Sequence, residues 1–554
     1  MTADIGKYRK IGRHGAAYGI VLCLFVLCST LGANAQQRKG RAASDDERVY
    51  LLHSDELLYD QYGNNPNAQI VRGHVAFSHK GARLTCDSAY FYQAINSVKA
   101  YGHVHFTQGD TLSLRSDRAD YDGEEQMMRA RNHVVLTHKG RVLNTDSLDF
   151  DRLYGNAYFF EGGTLTDKND KLVADWGQYN TSTREAVFYY NVKLRSGKNT
   201  VTTDTLHYFT RESLAHAVGP TVITSDTTIV NTTDAWLESD SDLARLFGRS
   251  TIVDGKKTIV GDTLIHNNTT GENMASGNVV YTDEENKNAL TCDYAEYNEK
   301  TGFGYATGRA LLRDYSQGDT LYLHSDTMKI VTYNIETDSV RREVHAYSKV
   351  KVYRSDVQAV CDSLVFTSVD SCLTMYRDPI VWSDNRQLLG EKIKVYMNDS
   401  TVREAYVIGQ ALSIEKIEGE KQYNQVASRE MQAFFIDGKV RKALSIGNVR
   451  IIFYPVDEKD SSYVGLANGQ TDTMLIYISE ERKMQKVVMK PNPEGVLYPM
   501  TQIPPEQYYL REFAWFEELR PTDKNDVFVW RGKKEDEKLK KIERTAAPLQ
   551  RLDD

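Results

Sequence analysis

Apolar and polar side chains alternate with period two along most of this chain, and the alternation returns in copies. One phrase, Asp-x-(small or Leu)-x-aromatic, occurs as Asp55-Glu-Leu-Leu-Tyr59, Asp87-Ser-Ala-Tyr-Phe91, Asp117-Arg-Ala-Asp-Tyr121 and Asp146-Ser-Leu-Asp-Phe150. It continues as Asp175-Trp-Gly-Gln-Tyr179, Asp204-Thr-Leu-His-Tyr208, Asp262-Thr-Leu-Ile-His266 and Asp293-Tyr-Ala-Glu-Tyr297, with looser copies at Asp234, Asp326, Asp362 and Asp472. From Asp55 to Asp326 the copies lie 28 to 33 residues apart. A second phrase with the same period, roughly Ala-x-Gly-x-Val-x-aromatic, is clearest in Gly73-His-Val-Ala-Phe77, Gly102-His-Val-His-Phe106, Asn132-His-Val-Val-Leu136 and Gly277-Asn-Val-Val-Tyr281. Gly219, Gly248, Gly308, Gly409 and Gly447 hold its place in weaker copies. Within 117–121, Asp117, Ala119 and Tyr121 share one face while Arg118 and Asp120 share the other, the pattern of a half-buried strand. Turn clusters such as Asp122-Gly123 and His138-Lys139-Gly140 separate the strands, and no stretch of the repeat body carries a helical period. Strands every 10 to 15 residues predict an all-β tandem-repeat fold, whether sandwich, barrel or solenoid.

The repeated Asp reads as a corner residue, its carboxylate accepting backbone N–H groups where the chain re-enters a strand. Calcium is the rival use, but the GGxGxD nonapeptide is absent. The repeated Gly predicts a bend or bulge. His74, His103 and His133 share one place in three successive repeats and read as an exposed polar ladder, with metal binding as the rival. Cys86, Cys292 and Cys361 precede a repeat Asp where other copies have Ser54, Ser116 or Thr145, so they mark a small-residue position. The repeat stretches at about 333–347 and 415–445, where loop insertions are expected. Seven of the eleven prolines lie beyond residue 490, which sets a C-terminal segment, 483–531, apart from the repeats. There, 506–519 is expected to form a short aromatic-rich helix that caps the last sheet edge or docks on a partner. The tail 532–554 alternates charges and is expected to be solvated.

Composition narrows the class. With 26% charged and 41% hydrophobic residues the chain is too apolar for disorder and too polar for a polytopic membrane protein. A net charge of -8 excludes a broad basic surface for nucleic acid. The first 35 residues join Lys7, Arg9, Lys10 and Arg13 to an apolar run over 15–32 and to Ala33-Asn34-Ala35, which predicts a signal peptide cleaved after Ala35 and a linker over 36–48. A retained anchor is the alternative, because the run is almost long enough to span a bilayer. Cys86, Cys292, Cys361 and Cys372 remain in an exported chain, where disulfides are possible without being implied. HExxH, GxSxG, P-loop, CxxC and dinucleotide motifs are all missing, so neither catalysis nor a metal or cofactor is expected.

In tandem Asp-x-Ala-x-Tyr and Ala-x-Gly-Asn-Val phrases, best seen in Asp117-Arg-Ala-Asp-Tyr121 and Ala275-Ser-Gly-Asn-Val279, the chain resembles the OstA/LptA-like family of lipopolysaccharide transport. The resemblance is good over 49–315 and loose over 316–482. It implies an elongated, open antiparallel β-jellyroll holding lipid A acyl chains, docked by its strand edges to related jellyrolls of the inner-membrane complex and the outer-membrane translocon. It also implies a periplasmic location, possible outer-membrane association and head-to-tail self-association. Candidate groove-lining residues are the apolar members of the two phrases: Leu57, Tyr59, Val75, Phe77, Ala89, Phe91, Val104, Phe106, Ala119, Tyr121, Leu148 and Phe150. These side chains could equally pack on one another as a closed core. A structural or adhesive exported β-solenoid without lipid, a carbohydrate-active β-helix and an inner-membrane-anchored jellyroll of the same transport system remain as alternatives.

Overall fold

The computed structural model describes residues 47–531 except 317, 336, 338, 399–400, 418–421, 458–461 and 482. The signal-peptide and charged-tail expectations lie outside the described residues. Everything below belongs to the unit formed by residues 48–554. Its described residues form 34 antiparallel strands, numbered β1–β34 in chain order, with short 3-10 turns and no α-helix. No helix among them is long and apolar enough to cross a membrane.

Most long strands pair with the next and carry a sharp bend at mid-length, while in places two short strands, such as β1 and β2 or β33 and β34, pair with one long strand. In β5 (Ser97–Gln108) the register against β4 (Ala82–Tyr92) skips between Thr85 and Ser88, opposite Gly102 and His103. Those two residues are both left-handed, with φ of 75° and 43°. The Gly phrase is therefore a two-residue bulge, which turns the strand where only a side chain-free residue sits without strain. A Cβ at Gly102 would also run into the Asp87 carboxylate. Gly102→Ala is accordingly expected to cost about 2–3 kcal/mol, read as a drop in urea midpoint. The repeat Asp does sit at this corner, but its carboxylate mainly meets the side chain of the second bulge residue rather than backbone N–H groups. His74–Asp55, His103–Asp87 and His133–Asp117 lie at 2.8, 2.7 and 2.7 Å. Asn191–Asp175, Arg309–Asp293, Lys349–Asp326 and Arg377–Asp362 continue the row.

The bends line up and divide the sheet into two leaves. The first leaf ends in one row of turns (80–81, 109–111, 139–140 and onward), and the second leaf ends in another row (93–96, 123–126, 152–155 and onward). Inward positions of both leaves form one apolar core that includes Val71, Phe77, Phe106, Leu114, Phe150, Phe188 and Leu206. The two rows of turns bond to each other over the first part of the sheet. Arg152 of the second row donates to the Lys80 and His79 carbonyls, to Gln108 and to the Tyr121 hydroxyl, and His79 Nδ1 lies 2.7 Å from that hydroxyl. His138 meets Tyr179 at 2.8 Å, and Tyr208 donates to Asp170 at 3.0 Å. Arg141 donates to the Thr210 carbonyl, and Lys168 lies 3.5 Å from Asp240.

The sheet runs unbroken past residue 315, because β21 (Phe303–Asp314) pairs with β22 (Leu321–Tyr333). Of the first expected insertion, 333–347, the described part lies partly between β22 and β23 (Arg341–Arg354) and partly on β23 itself. The second falls mostly on strands: β29 (Thr401–Lys416), β30 (Tyr423–Ile436) and β31 (Lys439–Phe453) have 16, 14 and 15 residues, longer than those of the early repeats.

The C-terminal segment departs from expectation. Residues 506–519 are extended with two short 3-10 turns, and 500–531 run back over the outer face of the first leaf rather than capping its edge. Three strand glutamines hold this strap. Gln425 donates to the Tyr508 carbonyl (2.8 Å) and accepts from the Leu510 N–H (2.9 Å). Gln387 donates to the Ala514 carbonyl (2.7 Å) and accepts from the Phe516 N–H (2.9 Å) and Trp382 Nε1 (3.1 Å). Gln358 accepts from Arg520 at 2.7 Å. Each amide of the first two imitates one rung of a strand pair, which an extended backbone can use and a helix cannot. At the far end the buried Lys351 ammonium donates to the Asp526 (3.0 Å) and Val529 (2.5 Å) carbonyls.

Candidate functional site

The structure places the sequence-derived lining residues in two settings. Leu57 and Tyr59 lie on the edge strand β2 (Glu56–Tyr59), 55% and 59% exposed. Val75, Phe77, Ala89, Phe91, Val104, Phe106, Ala119, Tyr121, Leu148 and Phe150 are all buried, and they pack on one another. The Phe77–Phe91, Phe106–Tyr121 and Phe106–Phe150 rings have centroids 5.3, 6.3 and 6.4 Å apart. The strongest phrases in the sequence thus fill their own interior.

The interior changes at β16 (Thr228–Glu238). One inward position of the first leaf is occupied in alternate strands by Leu84, Leu114, Leu143, Leu172 and Val201, at most 4% exposed. The next three occupants, Val230, Ile259 and Leu290, are only half-buried. The intervening strands show the same change at Ile252, Tyr281 and Leu312. On the second leaf, Tyr121, Phe150, Tyr179 and Tyr208 are buried, whereas Leu237, His266, Tyr297 and Ile330 are half-buried. Near the bend the inward residues are Ala235, Leu246, Ser250, Gly261, Leu264, Ala275, Ala306 and Ala310, without the phenylalanines (Phe159 and Phe188) that fill this row in the closed section. Their hydroxyls are satisfied locally, with Thr232 on Ser250 at 2.8 Å and Ser250 on the Gly248 carbonyl at 3.0 Å. Among the described residues, hydrogen bonds and ion pairs between the two rows of turns end at Ser239 and Asp240. From β16 to β22 the sheet therefore forms a trough with a floor of small residues and buried leucines, half-buried walls that mix aliphatic side chains with Tyr281, His266 and Tyr297, and an unbolted mouth; on the first leaf, buried Leu323 of β22 ends it. Sequence reasoning followed the aromatic phrases; the trace of the trough is the replacement of the phrase aromatic by Leu237 and His266 directly after Tyr208.

Electrostatics separate the section joined by these cross-row bonds from the exposed bend. Burial pushes the His138 imidazole down to about 4, with Lys139, Arg184 and Arg141 adding to it. Burial also raises the Tyr121 and Tyr179 phenols. A neutral native His138 contributes stability that is whole above about pH 6.5 and lost as pH falls toward 4. Unfolding midpoints at pH 7 and 5 are expected to differ by about 1–2 kcal/mol more in the wild type than in His138→Gln. His74, His103 and His133 have the opposite sign. Their Asp partners raise them, so what they contribute is whole below about pH 6.5 and fades as pH rises through their native values. All three are exposed, and among the described residues no group of three or more His, Cys, Asp or Glu side chains gathers as a metal site. The four cysteines are free and buried, and burial pushes the Cys86 and Cys292 thiols up to about 11.

Fold and site together define an antiparallel jellyroll-like protein whose interior is closed over its first part and opens into a trough from β16 to β22. Residues 46–204 match the model of the family described as OstA-like protein. That match covers strands of the closed part. No curated protein matches the chain.

Proposed function

We propose that the trough holds the acyl chains of an amphiphile, with lipid A or lipopolysaccharide as the ligand, and that the protein carries it through the periplasm in support of outer-membrane assembly. The observation that carries the reading is the half-exposure of Ile252, Ile259, Leu290 and Leu312 at positions that are dry in the first repeats. Each acyl CH₂ transferred from water onto such a surface contributes about 0.8 kcal/mol, so one chain in the trough gives several kcal/mol. The family match over 46–204 and the leader-like first 35 residues support an exported lipid-handling role. Among the described residues, both ends of the sheet leave a strand edge open, β2 at one end and β34 (Glu494–Pro499) at the other, with Leu58 and Val496 each 54% exposed. Such edges suit strand addition by related jellyrolls or by a second copy.

Native mass spectrometry of the mature protein with added lipid A tests this. A lipid adduct is expected in the wild type, with at least tenfold weaker retention in Ile259→Glu and Leu290→Glu, because a carboxylate in the wall must be desolvated by the acyl chain. A wild-type protein that takes up no lipid would favour the exported structural solenoid, for which the dry interior of the first repeats already suffices.

A further inference from the structure

We infer that the trough is blind toward the N-terminal end of the sheet, so that the amphiphile enters and leaves sideways, between the two rows of turns over residues 228–333, and never passes through the section before β16. The inference rests on the lipid-carrier reading and adds the route to it.

Two independent features block the closed section. The first is its filling. Phe106, Phe150, Phe159 and Phe188 are at most 2% exposed, and Phe159 and Phe188 rings sit 6.0 Å apart. The void bounded by Val49, Phe77, His79, Leu84, Phe106 and Tyr121 is about 10 Å³, room for one water at most. An acyl chain could enter only by displacing rings that are packed at crystal-like density. The second is the row of cross-turn bonds. To part the leaves there, the Arg152 guanidinium must leave Tyr121 and the carbonyls of His79 and Lys80, and Tyr208 must leave Asp170. Breaking such partly buried, charge-assisted bonds one after another along the sheet is a steep path.

Over β16–β22 neither obstacle is present in that form: in place of the phenylalanines the floor alternates Ala235, Ser250, Gly261, Ala275, Ala306 and Ala310 with buried Leu246, Leu264 and Met328, the wall residues from Val230 to Leu312 are half-buried, and the rows of turns share no hydrogen bond or ion pair among the described residues. The lowest route is therefore lateral. A donor or acceptor of the lipid must face the mouth of the trough rather than the first strand edge.

A lipid A analogue with a diazirine at the end of one acyl chain, bound to the wild-type mature protein and photolysed, tests the route by peptide mass mapping. Adducts are expected on peptides carrying Ile252, Ile259, Leu290 and Leu312. Adducts on Phe106, Phe150 or Phe188, or confined to the edge strands, overturn the inference and make the chain a through-conduit. Failure of the analogue to bind at all sinks the carrier reading itself, and the route with it.

Discussion

Ending the chain after Pro499 is expected to unfold the outer layer of the last third of the sheet while sparing the first repeats. The strap that follows Pro499 covers a second apolar cluster, in which Val360, Ile380, Trp382, Leu389, Leu412, Ile414 and Ala427 of the strands meet Leu510, Phe513, Trp515 and Phe516. Trp382 and Ile414 are fully buried, although they point away from the main core. Uncovering two or three side chains of this size costs on the order of 5 kcal/mol. The strap's loss would also take the backbone partners from the Gln387 and Gln425 amides and the Asp526 and Val529 carbonyls from the Lys351 ammonium, leaving water in their place. In repeat architectures such losses stay near their origin, because each unit contacts mainly its neighbours. Hydrogen exchange is the measurement: amides over 380–427 are expected to lose at least a hundredfold in protection, and those over 98–150 to keep theirs. Equal protection in both regions, with and without 500–531, would show that the strap is not a structural layer. A milder probe is Gln387→Ala, which orphans the Ala514 carbonyl, the Phe516 N–H and the Trp382 indole and should cost about 2–3 kcal/mol.

How far the sequence showed this depends on how local each signal was. Asp87 and Gly102 belong to repeating phrases, and the structure brings them together at a bend; the strand, its inward face and its bulge could all be read from spacing. The strap could not be read that way. Gln387 and Ala514 are 127 residues apart, and their bond follows from an outward-facing position on a strand defined only by its own neighbours. A trace of it was nevertheless present. Outward positions of the first leaf are Thr85, Thr107, Thr137 and Thr202 in early repeats, but Gln358, Val360, Trp382, Gln387 and Ile414 where the strap lies. Strands buried on both faces lose their alternation, and this is why the repeat looks loose beyond residue 316. The helix expected over 506–519 failed for a related reason. Its aromatics are spaced to meet a flat outer face and the glutamine ladder, a demand that helical periodicity does not express. The trough was hidden because the same phrase buries its aromatic at Tyr121 and leaves it half-buried at Tyr297, a difference that spacing does not express.

Leu114 and Leu290 occupy the same inward position of the repeat, and truncating each to Ala is expected to give very different results. Leu114 is 0% exposed and is enclosed by neighbouring core side chains, so Leu114→Ala leaves a cavity that the sheet relaxes into only partly, at a cost of about 3–4 kcal/mol. Leu290 faces Tyr281 across the strand pair but is open toward the mouth, so Leu290→Ala removes surface that water already touches and should cost about 1 kcal/mol. Residue type, strand type and repeat position are held constant; only the closure of the leaves differs. Local stabilities from denaturant-dependent hydrogen exchange at the flanking amides measure both in the same lipid-free protein. Costs within 1 kcal/mol of each other would mean that the interior at Leu290 is as dry as at Leu114, and the trough would then be absent from the protein in solution. With lipid A added, the order of sensitivity is expected to change. Leu290→Ala should weaken the lipid-dependent gain in protection over 252–312, whereas Leu114→Ala should leave that gain intact, because a side chain in the filled section stabilises the fold without touching the ligand.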